Sequence, residues 1–232
     1  MAQPGGEEST KDLEYLDGVR VPGDGGTLSL HKRGGEFTIR VHDTELMSSG
    51  SHESEDALAE LACAKLAHVQ DPVVLIGGLG MGYTLAAALK GTGPAAKIIV
   101  AELIPGVVEW NRGPLSHVAG HPLTDPRVSV RIQDVALSLQ TELHAFDAIL
   151  LDVDNGPQGL TRDSNNWLYS PEGLASASTA LRPNGVLAVW SSTPEKTFAM
   201  RLRKIGLEVE EVRIDSASHD DRHTIWIAVN RA

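Results

Sequence analysis

At 232 residues, 41% of them hydrophobic, the chain can bury one sizeable core, and no apolar run approaches the ~20 residues of a membrane span. The net charge of −11 argues against a nucleic-acid backbone as partner; it suits a cationic small-molecule substrate, although solubility alone also accounts for it. Cys63 is the only cysteine, which excludes an intrachain disulfide and a multi-cysteine metal site, and the start MAQPGGEESTKD lacks the pattern of a signal peptide, so a cytoplasmic protein without a membrane partner is expected.

Residues 1–24 are polar and rich in Gly and Pro, and read as a mobile tail. From Thr27 the pattern becomes strands. Leu28, Leu30 and then EFTIRV (36–41) alternate around Gly34-Gly35, a two-residue hairpin signal, and Glu45 to Met47 adds a third short strand. This gives a small antiparallel β unit over 25–50, too small to be stable unless it packs on the rest of the chain. The remainder, 51–232, reads as one α/β domain. A helix capped by Ser51 or Ser54 runs to about His68. Strands at 72–77, 97–102, 127–132 and 146–153 then alternate with helices at 83–90, 105–118 and 135–143. A long loop (155–170) leads to a helix (171–181), a strand (185–190), a helix (195–205) and two strands, 208–214 and 224–229. Alternation of this kind requires a parallel, right-handed, doubly wound sheet, and the last two strands, joined without a helix, must be antiparallel.

The stretch PVVLIGGLGMG (72–82) carries the first chemistry. A buried strand ends in Gly78, Gly80 and Gly82 and turns into a helix, which brings backbone N–H groups close to a ligand. The dinucleotide fingerprint would need glycine where Tyr83 stands, which tilts the reading from NAD towards S-adenosylmethionine. In such a sheet ligands lie outside the carboxyl ends of the strands, and acids recur there: Glu102, Asp134, Asp152 and Asp154. Glu102 can accept from both ribose hydroxyls; Asp134 suits the exocyclic amine of adenine or a helix N-cap. Asp152 and Asp154 could hold an attacking amine, remove its proton or attract the cofactor's ammonium, with turn chemistry as the rival role. Trp167 and Tyr169 either wall a substrate pocket or pack against the next helix. The nine histidines show no H-E-x-x-H arrangement, and no metal site is expected.

From about Leu46 to Trp190 the chain resembles the spermidine synthase-like family, the polyamine aminopropyltransferases. The matching pieces are LIGGLGMGYTL, VAELIPGVVEWNR, DPRVSVRIQDV (125–135), FDAILLDVDNGPQG (146–159) and LRPNGVLAVW (181–190). The resemblance implies a Rossmann-like class I methyltransferase fold, with a seven-stranded mostly parallel sheet, an antiparallel last strand and a small N-terminal β unit. It implies a homodimer or tetramer. The implied cofactor contacts are Gly78, Leu79, Gly80, Met81, Gly82, Glu102, Leu103, Gln133, Asp134 and Asp152. Asn155, Trp167 and Tyr169 are the candidate substrate contacts.

The departures bear on the reaction. The family's loop is G-G-G-D-G-G, whose aspartate holds the amino end of the cofactor's chain; that position is Gly80 here. In the family's D-S-S/T-D-P, Asp152 matches the first acid, which serves deprotonation of the amine, but the second falls on Asn155. The family's D-E-x-x-Y-x-E, which helps hold the polyamine, begins at Ser54-Glu55, and its tyrosine is Leu58. Because Gly80 removes the anchor for an aminopropyl donor, the first expectation is S-adenosylmethionine-dependent methyl transfer to a small substrate, an amine among the candidates, with Asp152 and Asp154 catalytic. The alternatives are aminopropyl transfer from decarboxylated S-adenosylmethionine and a non-catalytic nucleoside-binding protein.

Overall fold

The computed structural model describes residues 13–23, 26–42, 44–153, 156, 167–193, 195, 197–215 and 222–231. Four strands form the N-terminal unit: β1 (Glu14–Arg20), β2 (Thr27–Arg33), β3 (Glu36–Val41) and β4 (Thr44–Ser48), paired antiparallel in chain order. β1 lies inside the stretch expected to be tail, so the unit begins earlier than 25. EYLDGVR hides its alternation because the register slips between Tyr15 and Asp17. The inward residues Leu28, Leu30, Phe37, Ile39 and Val41 recur with period two, as a half-buried sheet requires.

The larger sheet contains β5 (Val73–Gly77), β6 (Lys97–Glu102), β7 (Val128–Ile132), β8 (Phe146–Leu151), β9 (Leu181–Ser191), β10 (Glu208–Asp215) and β11 (Arg222–Val229), in the order β10-β11-β9-β8-β5-β6-β7. Strands β5 to β9 pair in parallel, while β11 runs antiparallel to both β9 and β10. The expected fold class is thus present.

The helices are α1 (Glu53–Ala64), α2 (Tyr83–Gly91), α3 (Pro105–Arg112), α4 (Val135–Thr141), α5 (Pro171–Ala180) and α6 (Phe198–Lys204). One core cluster buries Leu58 and Ala62 of α1, Leu85 of α2 and Val108 of α3 together with residues of the small sheet; the other gathers Leu139 of α4, Leu174 of α5 and Leu202 of α6. The helices therefore cover opposite faces, and the chain changes face after β7, when it returns across β5 to β8. That reversal opens a crevice at the carboxyl ends of β5 and β8, where a doubly wound sheet takes its ligands.

Two helices differ from the sequence reading. α1 starts after His52 and takes no side-chain cap from Ser51 or Ser54; Ser54 is buried and donates to Glu55 instead. α3 stops at Arg112 rather than Val118, because Gly113-Pro114 comes next: proline disfavours the helical region for the residue before it and has no N–H to continue the ladder. The DPRV block is structural here. Arg127 forks onto Asp125 and donates to the carbonyls of Leu89, Thr92 and Gly93, tying β7 to the end of α2 and pulling the Asp125 carboxyl down to about 2.

Candidate functional site

A cleft opens at the crevice, bounded below by the sheet's carboxyl edge and above by the small N-terminal sheet. Gly78, Gly80, Glu102, Leu103, Gln133, Asp134 and Asp152 line it from below, and Val21, Leu28, Ile39, Leu46 and Met47 roof it. The roof is fastened at two points. Trp110 of α3 donates its indole N–H to Asp17 at 2.8 Å; Tyr83 of α2 donates to the carbonyl of Ser49 at 3.1 Å and stacks on His52, with ring centroids 4.0 Å apart. Tyr83, where the dinucleotide fingerprint wants glycine, thus joins the two units.

The glycine loop is shaped by close approaches. Gly78 has φ +89°, and a Cβ there would collide with the carbonyl oxygen of Asp152. Only glycine lets β5 and β8 end this close together. The loop alternates: Gly78 and Gly80 face the cleft, while Leu79 (5% exposed) and Met81 (0%) are buried in the core. Gly82 lies behind the loop against Asn111 and Pro122. Leu79, Met81 and Gly82, expected as cofactor contacts, therefore do not line the cleft.

Glu102 is 6% exposed and closes β6. One carboxylate oxygen accepts the N–H of Leu79 and the other that of Ile104, both at 2.8 Å. Burial raises its pKa, and these backbone donors oppose the rise. Each oxygen keeps an acceptor site beyond the one it has filled. Asp134 caps α4 by accepting from Ala136 N–H at 2.9 Å while also lining the cleft, so the cap and a ligand-facing role are compatible. Gln133 is oriented by Ser138, to whose hydroxyl its amide donates at 2.9 Å.

Asp152 stands just past the end of β8 and accepts the Thr84 hydroxyl at 2.6 Å. Burial pushes its carboxyl upward and the threonine opposes this. Two further residues complete the inner end: Glu55 from the start of α1, which matches the glutamate of the family's D-E-x-x-Y-x-E, and Trp190 from β9, which was not among the candidate contacts. Burial, and after it the charge of Asp152, drives the Glu55 carboxyl upward.

The aromatic candidates do not wall the cleft. Tyr169 is 2% exposed, donates to the carbonyl of Val153 and packs edge-on against Phe198, and Trp167 packs on the same core. Packing, the alternative role, is what they do. Asp154 and Asn155 lie outside the described residues. Among the described residues, no three His, Cys, Asp or Glu side chains converge as a metal site would need, and no helix is long and apolar enough to cross a membrane.

The family model described as the spermine/spermidine synthase domain matches residues 55–203. A polyamine aminopropyltransferase of Mycobacterium tuberculosis (strain ATCC 25618 / H37Rv) is 34% identical over 128 residues, covering 53% of this chain and 23% of the relative. One from Prochlorococcus marinus (strain AS9601) is 28% identical over 124 residues, covering 53% of this chain and 41% of the relative. The chain thus spans less than half the length of these curated relatives. In structure it is similar to spermidine synthase from Thermotoga maritima (TM-score 0.77, 18% identity, covering 94% of this chain and 73% of that one). It is similar also to a spermidine synthase solved in complex with the transition state analogue AdoDATO, with a TM-score of 0.75 and 18% identity over the same shares of the two chains. Methyl transfer from S-adenosylmethionine, the first expectation, is overturned by the family match and by the aminopropyltransferase relatives. The chain belongs to the spermine/spermidine synthase domain family.

Proposed function

We propose that the chain transfers an aminopropyl group from decarboxylated S-adenosylmethionine to a primary amine of a polyamine. The observation that supports this most is Asp152, a half-buried carboxyl pushed up to about 6 and held by Thr84 in the same cleft as Glu102. A base works best when its pKa lies near the operating pH.

The nucleoside half of the donor fits the groups present. The free acceptor sites of Glu102 would take the ribose hydroxyls, Asp134 the exocyclic amine of adenine, and Gly78 would admit the chain of the donor beside the β5 edge. The amine nitrogen attacks the carbon next to the sulfonium. The C–S bond breaks with its electron pair on sulfur, methylthioadenosine leaves, and a proton of the amine passes to Asp152. Positive charge on sulfur disappears in this step, so positioning and exclusion of water supply most of the acceleration, with base assistance modest. The roof of Leu28, Ile39, Leu46 and Met47 is the water-excluding surface.

Incubation with decarboxylated S-adenosylmethionine and putrescine, followed by mass spectrometry, is the test. Spermidine and methylthioadenosine are expected in equal amounts. Tight binding of methylthioadenosine without product from any diamine would overturn the activity.

A further inference from the structure

Gln133 stands just before the Asp134 cap of α4 and lines the cleft beside that acid. A glutamine at an open edge can turn either end of its amide to a ligand, because its last torsion is soft and roughly two-fold. Here both its backbone and its side chain are tied. The Gln133 N–H donates to the carbonyl of Glu102 at 3.0 Å, and Nε2 donates at 2.9 Å to the hydroxyl of Ser138, in the middle of α4 and 0% exposed. The same hydroxyl accepts from Arg131 Nη1 at 3.1 Å, and that nitrogen also donates to Glu142, just past the end of the helix, at 2.6 Å. With its nitrogen turned back to α4, Gln133 is left with its carbonyl oxygen for the cleft, and among the described residues nothing donates to that oxygen. Asp134 beside it is an acceptor as well. Two adjacent acceptors match an exocyclic amine with its two hydrogens and oppose a carbonyl in the same place.

We propose that Ser138, braced by Arg131 and Glu142, is a positioning residue that fixes the Gln133 amide with its carbonyl towards the nucleobase, so that the cleft selects a 6-amino over a 6-oxo purine nucleoside. The inference rests on the nucleoside half of the aminopropyl reading. Ser138 touches no ligand and acts only through Gln133. Once the hydroxyl is removed, the amide is free to turn over and offer its NH2 group to a 6-oxo base. Loss of Ser138 therefore changes which base is preferred, whereas general damage to α4 would weaken both bases alike.

The test is calorimetry with methylthioadenosine and with its deaminated counterpart, methylthioinosine. The wild type is expected to prefer the 6-amino nucleoside by more than about tenfold. Ser138→Ala should cut that preference by roughly tenfold, mainly by tightening methylthioinosine, and Ser138→Thr, which keeps the hydroxyl, should restore it. Gln133→Leu reaches the same point without touching the buried hydroxyl: it should also lose the preference, and adding Ser138→Ala to it should change the preference no further. Thermal unfolding of each variant checks that it is folded. A wild type without preference, equal weakening of both nucleosides by Ser138→Ala, or an undiminished effect of Ser138→Ala on top of Gln133→Leu would each overturn the proposal. Binding needs no group transfer, so the expected preferences without spermidine formation would sink the activity and leave Ser138 its role. No binding of either nucleoside at millimolar concentration would sink both.

Discussion

The thioether of Met47 occupies the space in which a side chain on Gly80 would begin: a Cβ built there lies 3.0 Å from the methionine sulfur and methyl. The residue that loses the family's aspartate and the residue that fills its place come from different units of the fold. Gly80 also has φ +51°, a left-handed conformation that side chains resist. Gly80→Asp alone should therefore destabilise the protein by roughly 1–3 kcal/mol in denaturant titration. Adding Met47→Ala should recover part of that loss and tighten binding of decarboxylated S-adenosylmethionine. A double variant no better than the single one would show that the thioether does not stand in for the acid.

Glu102 does structural and ligand-facing work through the same two oxygens. Glu102→Gln can still accept one of the two backbone N–H groups but leaves Leu79 or Ile104 without a partner, a cost of about 1–3 kcal/mol. Affinity for methylthioadenosine should fall by roughly 1–3 kcal/mol as well, the range for hydrogen bonds to a charged group. Calorimetry on the folded variant measures this, and an unchanged dissociation constant would remove Glu102 from the nucleoside site.

Thr84 sets the working range of Asp152. Its hydroxyl favours the ionised carboxylate, so Thr84→Val should raise the Asp152 pKa further. A base must be ionised to act, and the acid limb of kcat/KM should move to higher pH. Asp152→Asn should lower kcat by roughly 10²–10⁴ with less effect on nucleoside binding. Equal losses in both parameters would indicate a binding role instead.

The acid pair also makes stability depend on pH. The Glu55 carboxyl is pushed up to about 7 and that of Asp152 up to about 6. For acids raised in the folded state, the stabilising contribution is complete below the unfolded pKa and is lost as pH rises through the folded one. The melting temperature should fall between about pH 4.5 and pH 7 and level off above. Glu55→Gln should flatten this fall and stabilise the protein at pH 8 by on the order of 2 kcal/mol. A melting temperature rising across the window would contradict the assignment.

How much of the molecule was legible in the sequence depends on how far apart the contributing residues are. Glu102 is legible because an acid closing the apolar run IIVA needs a partner, and strand and helix periodicity carry the doubly wound sheet. The loop's own alternation of glycine with Leu79 and Met81 also carried a signal, since large apolar residues between glycines go to the core. Met47 and the rest of the roof reach the cleft only by docking of the small sheet, which no local pattern reports. Tyr169 misled because a long loop before an aromatic reads as a binding loop, whereas its ring closes the packing against Phe198.

The roof strand β4 runs almost directly into α1, with only Ser49 to His52 between them. Met47 above the glycine loop and Glu55 beside Asp152 are thus carried on one short, continuous piece of backbone, pinned midway by Tyr83. Opening and charge are geared together: a hinge that lifted the canopy would also draw one carboxyl away from the other, hydrate both and let each ionise by itself.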